Sequence, residues 1–159
     1  MNIYLYNSRG EYSLRPDTTL NRESGDFYMP DGVEQVSCSS IIYIRVNRAA
    51  KAVSEKFAQR YYSQYGVGVV LSDSTCNSSI YESILIDGST IVSSEQCPVD
   101  ELDAVLVERL NRAIAYISRR SSLRVGDYVA LELANSGELR LGSSLELDIC
   151  GKRLSVYMK

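Results

Sequence analysis

The chain has 159 residues, of which 45% are apolar and 23% charged, and its net charge is −3. These values suit one globular domain spanning residues 1–159 and exclude a surface built for nucleic acid, which needs clustered Lys and Arg. No segment approaches the roughly 20 apolar residues of a membrane-spanning helix. The N-terminus lacks a basic start followed by an apolar run, so a cytoplasmic location is the default expectation.

The first strand is expected within Met1–Tyr12, where Ile3 and Leu5 alternate with Tyr4 and Tyr6. Residues 18–32 are polar and rich in turn formers, which predicts a surface loop or hairpin. Ser40–Val46 is β-branched and aromatic and reads as a strand. A helix is predicted from Ser54 to Gln64, capped by Ser54 and stopped by Gly66, with Phe57, Tyr61 and Tyr65 on one apolar stripe. Val67–Leu71 reads as a buried strand. Ile80–Ile86 is predicted to pair with Thr90–Val92 across a hairpin at Asp87-Gly88. A second helix is expected from Pro98, with Leu102, Leu106, Leu110, Ile114 and Ile117 on its apolar face. Its acidic start and the closing Arg119 and Arg120 match the helix dipole. The same two arginines, with Arg124, form the tightest basic group, which reads as a solvated helix end. Strands at Tyr128–Leu133, Leu145–Ile149 and Leu154–Met158 complete the chain, the last two joined by a turn at Cys150-Gly151-Lys152.

Histidine is absent, which removes the usual general base and the commonest metal ligand. Cys38, Cys76, Cys97 and Cys150 lie too far apart for the short paired spacing of zinc sites and read as small, mostly buried residues. Carboxylate sites for magnesium or calcium are all that composition leaves open.

Three stretches resemble the fumarylacetoacetate hydrolase family. Val46-Asn47-Arg48, Lys51, the run from Ser54 to Tyr62 and Gly66-Val67-Gly68 are similar to the family's "INR-x-GK…EKFA-x-RYYDE-x-GLG". Arg15-Pro16-Asp17-Thr18-Thr19-Leu20 with Phe27-Tyr28-Met29-Pro30-Asp31 resembles "KP-D-T-A-L…F-Y-x-P-D". Ala113 to Ser118, Leu123 and Gly126-Asp127 resemble "AIAYIS…L-K-x-GD". The resemblance implies an α+β fold: a mixed β-roll of the family's C-terminal domain type with two flanking helices, often as a dimer.

It also implies a divalent cation held by a Glu-x-Glu pair and an Asp, which polarises a substrate carbonyl. Matched onto this chain, those positions fall on Ser39, Ile41 and Val70, none of which supplies an anionic oxygen. The strand from Ser37 to Val46 holds no acid at all, so no slip of the match restores one. The family's long insert after the second strand shrinks to residues 72–79. Its "TGTP-x-G" substrate loop becomes Leu131-Glu132-Leu133-Ala134, and its N-terminal histidine segment has no counterpart. The chain therefore reads as a shortened, degenerate member without metal or other cofactor, catalytically inactive and acting by binding or assembly, with a small-molecule ligand of unknown identity. The alternative is a metal-independent isomerase, tautomerase or lyase acting on a small keto acid, with Arg15, Asp17, Lys51 and Tyr61 as candidates. A residual hydrolase drawing on Asp73, Glu82 or Asp87 is a third reading. A homodimer is expected, on the argument that apolar strands with one covering helix leave a bare face.

Overall fold

A computed structural model describes residues 1–75 and 79–159, so Cys76 and part of the shortened 72–79 connection lie outside the described residues. In chain order the elements are β1 (Ile3–Tyr6), β2 (Tyr12–Arg15), β3 (Leu20–Asn21), β4 (Asp26–Phe27), β5 (Gln35–Arg45), β6 (Gln64–Asp73), α1 (Ile80–Ser83), β7 (Thr90–Val92), β8 (Cys97–Pro98), α2 (Ala104–Arg120), β9 (Tyr128–Arg140), β10 (Ser144–Ile149) and β11 (Lys152–Met158). Eight strands form one sheet in the order β2-β1-β9-β5-β6-β7-β3, with β8 also on β6; β10, β11 and β4 form a second. β1 runs parallel to β9 and β3 parallel to β7, whereas β5, β6 and β9 are antiparallel. The large sheet curls, which makes the architecture the expected α+β mixed roll.

Successive β5 side chains go to opposite faces, as the pleat requires. Ile42 and Ile44 join the larger core with Leu110, Ile114 and Ile117 of α2. Ile41 and Tyr43 join a smaller cluster inside the curl with Ile3, Leu5, Val70 and Tyr128. Both faces are thus covered within one chain, and Ile41, Tyr43 and Val70 are all buried. That overturns the bare-face argument for a dimer: the curl of the sheet itself closes the side that α2 leaves open.

Four local expectations are corrected. The Ser54–Gln64 helix is a 3-10 turn over Glu55–Tyr61, and Ser54 makes no side-chain cap. Within the turn Ala58 is buried, Tyr61 packs partly buried on the core and Phe57 is exposed, while Tyr62 and the buried Tyr65 lie beyond it in extended chain, so Phe57, Tyr61 and Tyr65 do not form one helical stripe. Phe57 faces outward beneath Arg60 and Lys56, whose cations lie 4.4 and 4.8 Å from its ring. Ile80–Ile86 is not a strand: Ser79 caps the single turn of α1 by accepting from the Glu82 amide. The long helix begins after an N-cap at Asp103, because Val99–Glu101 forms a separate 3-10 turn. Finally, residues 18–32 contain β3 and β4, and Phe27 is buried.

Gly66 does not stop a helix; it sits in β6 opposite Tyr43, and a Cβ there would run into the tyrosine ring. The Cys150-Gly151 turn holds: both residues have positive φ, 53° and 79°, as a two-residue hairpin between β10 and β11 demands.

Candidate functional site

The cleft of interest lies where β2, β5, β6 and β9 meet. Its volume is about 350 Å³, and Ser39, Val70, Arg15 and Glu132 are among its walls. Ser39 and Val70 are direct partners across the β5–β6 ladder, so two of the three positions matched to cation ligands lie side by side. Ile41 does not reach the cleft. It is 1% exposed and packs in the inner cluster with Leu5 and Tyr43.

The donors do not fit a divalent cation. A hydroxyl and two hydrocarbon side chains replace the carboxylate oxygens that a hard cation takes. Among the described residues no group of three or more His, Cys, Asp or Glu could hold a metal ion. Asp73 lines this cleft, Asp87 lines a different one and Glu82 is exposed on α1, so the three acids of the residual-hydrolase reading do not assemble.

Of the four candidate residues, only Arg15 lines this cleft. Asp17 is exposed beside a separate depression, Lys51 is exposed, and Tyr61 packs partly buried against the main core. Arg15 closes β2 and is 1% exposed, so it is no loop charge. Its Nη2 donates to the Leu71 carbonyl at 2.7 Å and to Ser72 Oγ at 3.2 Å. Its Nη1 donates to Ser89 Oγ and Thr90 Oγ1, each at 3.1 Å, and weakly to the Ser89 carbonyl. All these acceptors are neutral. Burial holds the guanidinium below its ordinary value, at about 10, against a partial upward pull from Glu132. The group still carries its charge at neutral pH.

Sequence reasoning missed Glu132. Its carboxylate accepts from the Ser8 amide at 2.9 Å and is half-buried at the cleft wall. The strand expected over Tyr128–Leu133 runs on to Arg140 and carries two bulges. Opposite Cys38–Ile41, β9 carries extra residues at Leu133 and Ser136, so Glu132 and Asn135, three apart, both line the cleft. Bulges re-aim side chains in this way. The only signal in the sequence was Gly137, whose φ of 109° the strand accommodates beside the second bulge.

Other motif residues are scaffold pins. Asp127 is 1% exposed and accepts from the Asn2 and Arg124 amides at 2.9 and 2.8 Å, tying β1 to the entry of β9. Ser118 accepts from the Val53 amide at 3.0 Å. Thr19 and Thr90 share a buried hydroxyl contact at 3.0 Å.

No family model matches the sequence, and no curated protein does. Solved structures match throughout. The chain has the fold of the fumarylacetoacetate hydrolase family. A structure from Yersinia pestis CO92 assigned to that family superposes with a TM-score of 0.82 at 19% identity, covering 99% of this chain and 92% of that one. Fumarylpyruvate hydrolase from Pseudomonas aeruginosa, solved with Mn2+ and pyruvate, gives 0.75 at 13% identity, covering 99% and 89%. The 2-hydroxyhepta-2,4-diene-1,7-dioate isomerase of Mycobacterium marinum gives 0.78 at 14%, covering 99% and 73%. Among the described residues no helix is long and apolar enough to cross a membrane.

Proposed function

We propose that this chain is a metal-free, non-catalytic member of the fumarylacetoacetate hydrolase family, a cytoplasmic protein that binds a small molecule in the Ser39–Val70 cleft. The observation that carries the reading is the pairing of Ser39 with Val70 where the family's cation ligands would stand, in a cleft that stays open and polar. Loss of the ligands removes Lewis-acid polarisation of a substrate carbonyl. Retention of an open cleft keeps a place to bind. Elemental analysis and thermal-shift titration with Mg2+ and Mn2+ test it: no stoichiometric ion and no rise in melting temperature are expected. A tightly bound ion, or metal-dependent turnover of an acylpyruvate, overturns it.

A second reading has one observation in its favour. Arg15 and Glu132 share the cleft, so a carboxylate-bearing keto acid could be held with a potential proton acceptor nearby. Metal-independent isomerisation that disappears in Glu132→Gln would select this metal-free isomerase over the binding protein.

For assembly, we propose a two-fold homodimer through β2. This strand is the outer edge of the large sheet, and its Leu14 is 52% exposed. Light scattering is expected to give about twice the 17.7 kDa chain mass, falling to the monomer in Leu14→Lys. A monomer at all concentrations ends the proposal.

A further inference from the structure

We propose that the end of the molecule formed by residues 45–53 and 118–127 is a docking surface for an anionic phospholipid bilayer. It lies apart from the cleft and shares none of its lining residues.

The two segments are distant in sequence and side by side in space. Ala50 and Leu123 exchange both main-chain hydrogen bonds, at 2.9 and 2.8 Å, and the Ala52 amide donates to the Ser118 carbonyl at 2.8 Å. The Val46 amide donates to the Asp127 carbonyl and the Gly126 amide to the Val46 carbonyl, each at 2.8 Å. These bonds bring Arg45, Arg48 and Lys51 to the same end of the molecule as Arg119, Arg120 and Arg124, and all six are exposed. The only acid in either segment is Asp127. It is buried and spends its carboxylate on the Asn2 and Arg124 amides. None of the ion pairs among the described residues uses any of the six cations.

The helix dipole accounts for Arg119 and Arg120 at the end of α2. It does not account for the cations that the 45–53 loop adds to the group read from sequence as a solvated helix end. Like charges gathered in one place repel and weaken the compact state. A chain with 20 acidic residues has enough to intersperse among them, yet these segments expose none. Ala52 holds a φ of 51°, a left-handed conformation that is costly for a residue with a Cβ, so the loop keeps its course against local strain.

Val125 favours a lipid surface over other polyanions. It is 68% exposed. It stands in a tight turn closed by the Asp127 amide on the Arg124 carbonyl at 3.1 Å and by the Asp127 carboxylate on the Arg124 amide. An apolar side chain projecting among arginines gains a place at the boundary between headgroups and acyl chains. It gains none on a phosphate backbone or an acidic peptide. The guanidinium groups suit headgroup phosphates, which they can bond in a bidentate way.

Flotation of the intact chain with phosphatidylcholine vesicles, with and without phosphatidylserine, tests the proposal. Saturable binding to the anionic vesicles alone is expected, weakening as salt rises. Arg120→Gln should weaken it about fivefold, the contribution of one cation near an anionic surface. Arg119→Glu combined with Arg120→Glu should abolish it. Arg153→Gln removes an exposed cation on β11 instead and should leave binding unchanged. Val125→Ser should weaken binding at constant charge, which a contact made by charge alone would not show. Unchanged melting temperatures check that the variants fold. Absence of binding, equal binding to neutral vesicles, survival of binding in the double reversal, or an equal loss in Arg153→Gln would overturn the surface. Full affinity in Val125→Ser, or tighter binding of duplex DNA or polyglutamate than of anionic vesicles, would overturn the lipid as its partner.

Discussion

Beneath α2, Ile42, Ile44, Val69 and Leu131 pack with Leu110 and Ile114 in the larger of two buried clusters. Across the same strands the inner cluster is small, and at its edge lie Arg15, Ser39 and the open cleft. The buried charged side chains among the described residues are Arg15, at the cleft, and Asp127, at the entry to β9. One face is packed broadly against a helix, and the other couples a small apolar cluster to the hydrogen-bonded Arg15 at the cleft. The larger share of the buried apolar side chains lies in the cluster that packs against α2, away from the cleft.

The sharpest way to break that contrast is a matched pair of truncations. Leu110→Ala is expected to cost about 3 kcal/mol, because Leu110 is fully buried and α2 cannot collapse onto the sheet to fill the gap. Ser39→Ala, on the cleft face, should stay within about 0.5 kcal/mol. Urea denaturation of both variants checks this, and equal losses would abolish the division of labour. Gly66→Ala should fall between them, at about 1–3 kcal/mol, since the added methyl must displace the Tyr43 ring.

The smallest effect is a pair of opposed pH slopes. Burial pushes the Cys38 thiol, on the packed face, from 9.0 up to about 12. The folded state keeps a proton that the unfolded state releases, so this group's stabilisation is present below pH 9 and is lost as pH rises toward 12. Arg15 behaves in reverse. Its value falls from 12.5 to about 10, so the unfolded state binds more protons between those limits and stability rises with pH there. Denaturation midpoints measured between pH 8 and 11 should fall less steeply in Cys38→Ala and more steeply in Arg15→Met. The tyrosine background is common to both variants. Parallel curves would refute the assignment.

Much of this contrast was legible in the sequence. The β5 pattern, the α2 stripe and the Cys150-Gly151 turn follow from periodicities and φ preferences that act locally. The 3-10 turn at Glu55–Tyr61 was not, because a four-residue aromatic spacing imitates an α-helix while tertiary packing selects Ala58 and Tyr62. The Ile80–Ile86 segment has strand-like composition, yet α1 forms there under a local serine cap. At the site, the lack of carboxylates at Ser39, Ile41 and Val70 was plain from residue type. The inward turn of Arg15 and the arrival of Glu132 were not. The first depends on acceptors more than 50 residues away in the chain, the second on two register shifts that no alternation pattern encodes.

Those two bulges bear on how such a cleft can change over time. Outside them, swapping a lining residue means a point mutation. At β9, the extra residue Leu133 lets Glu132 and Asn135 share a face although they are three apart, a spacing that plain alternation would split between the two faces. The flanking pairs, Cys38 with Gly137 and Ile42 with Leu131, frame the segment on either side. A single-residue insertion or deletion between them would turn a different pair of side chains toward the cleft. The lining of the cleft is thus set by the length of this stretch as well as by the type of its residues.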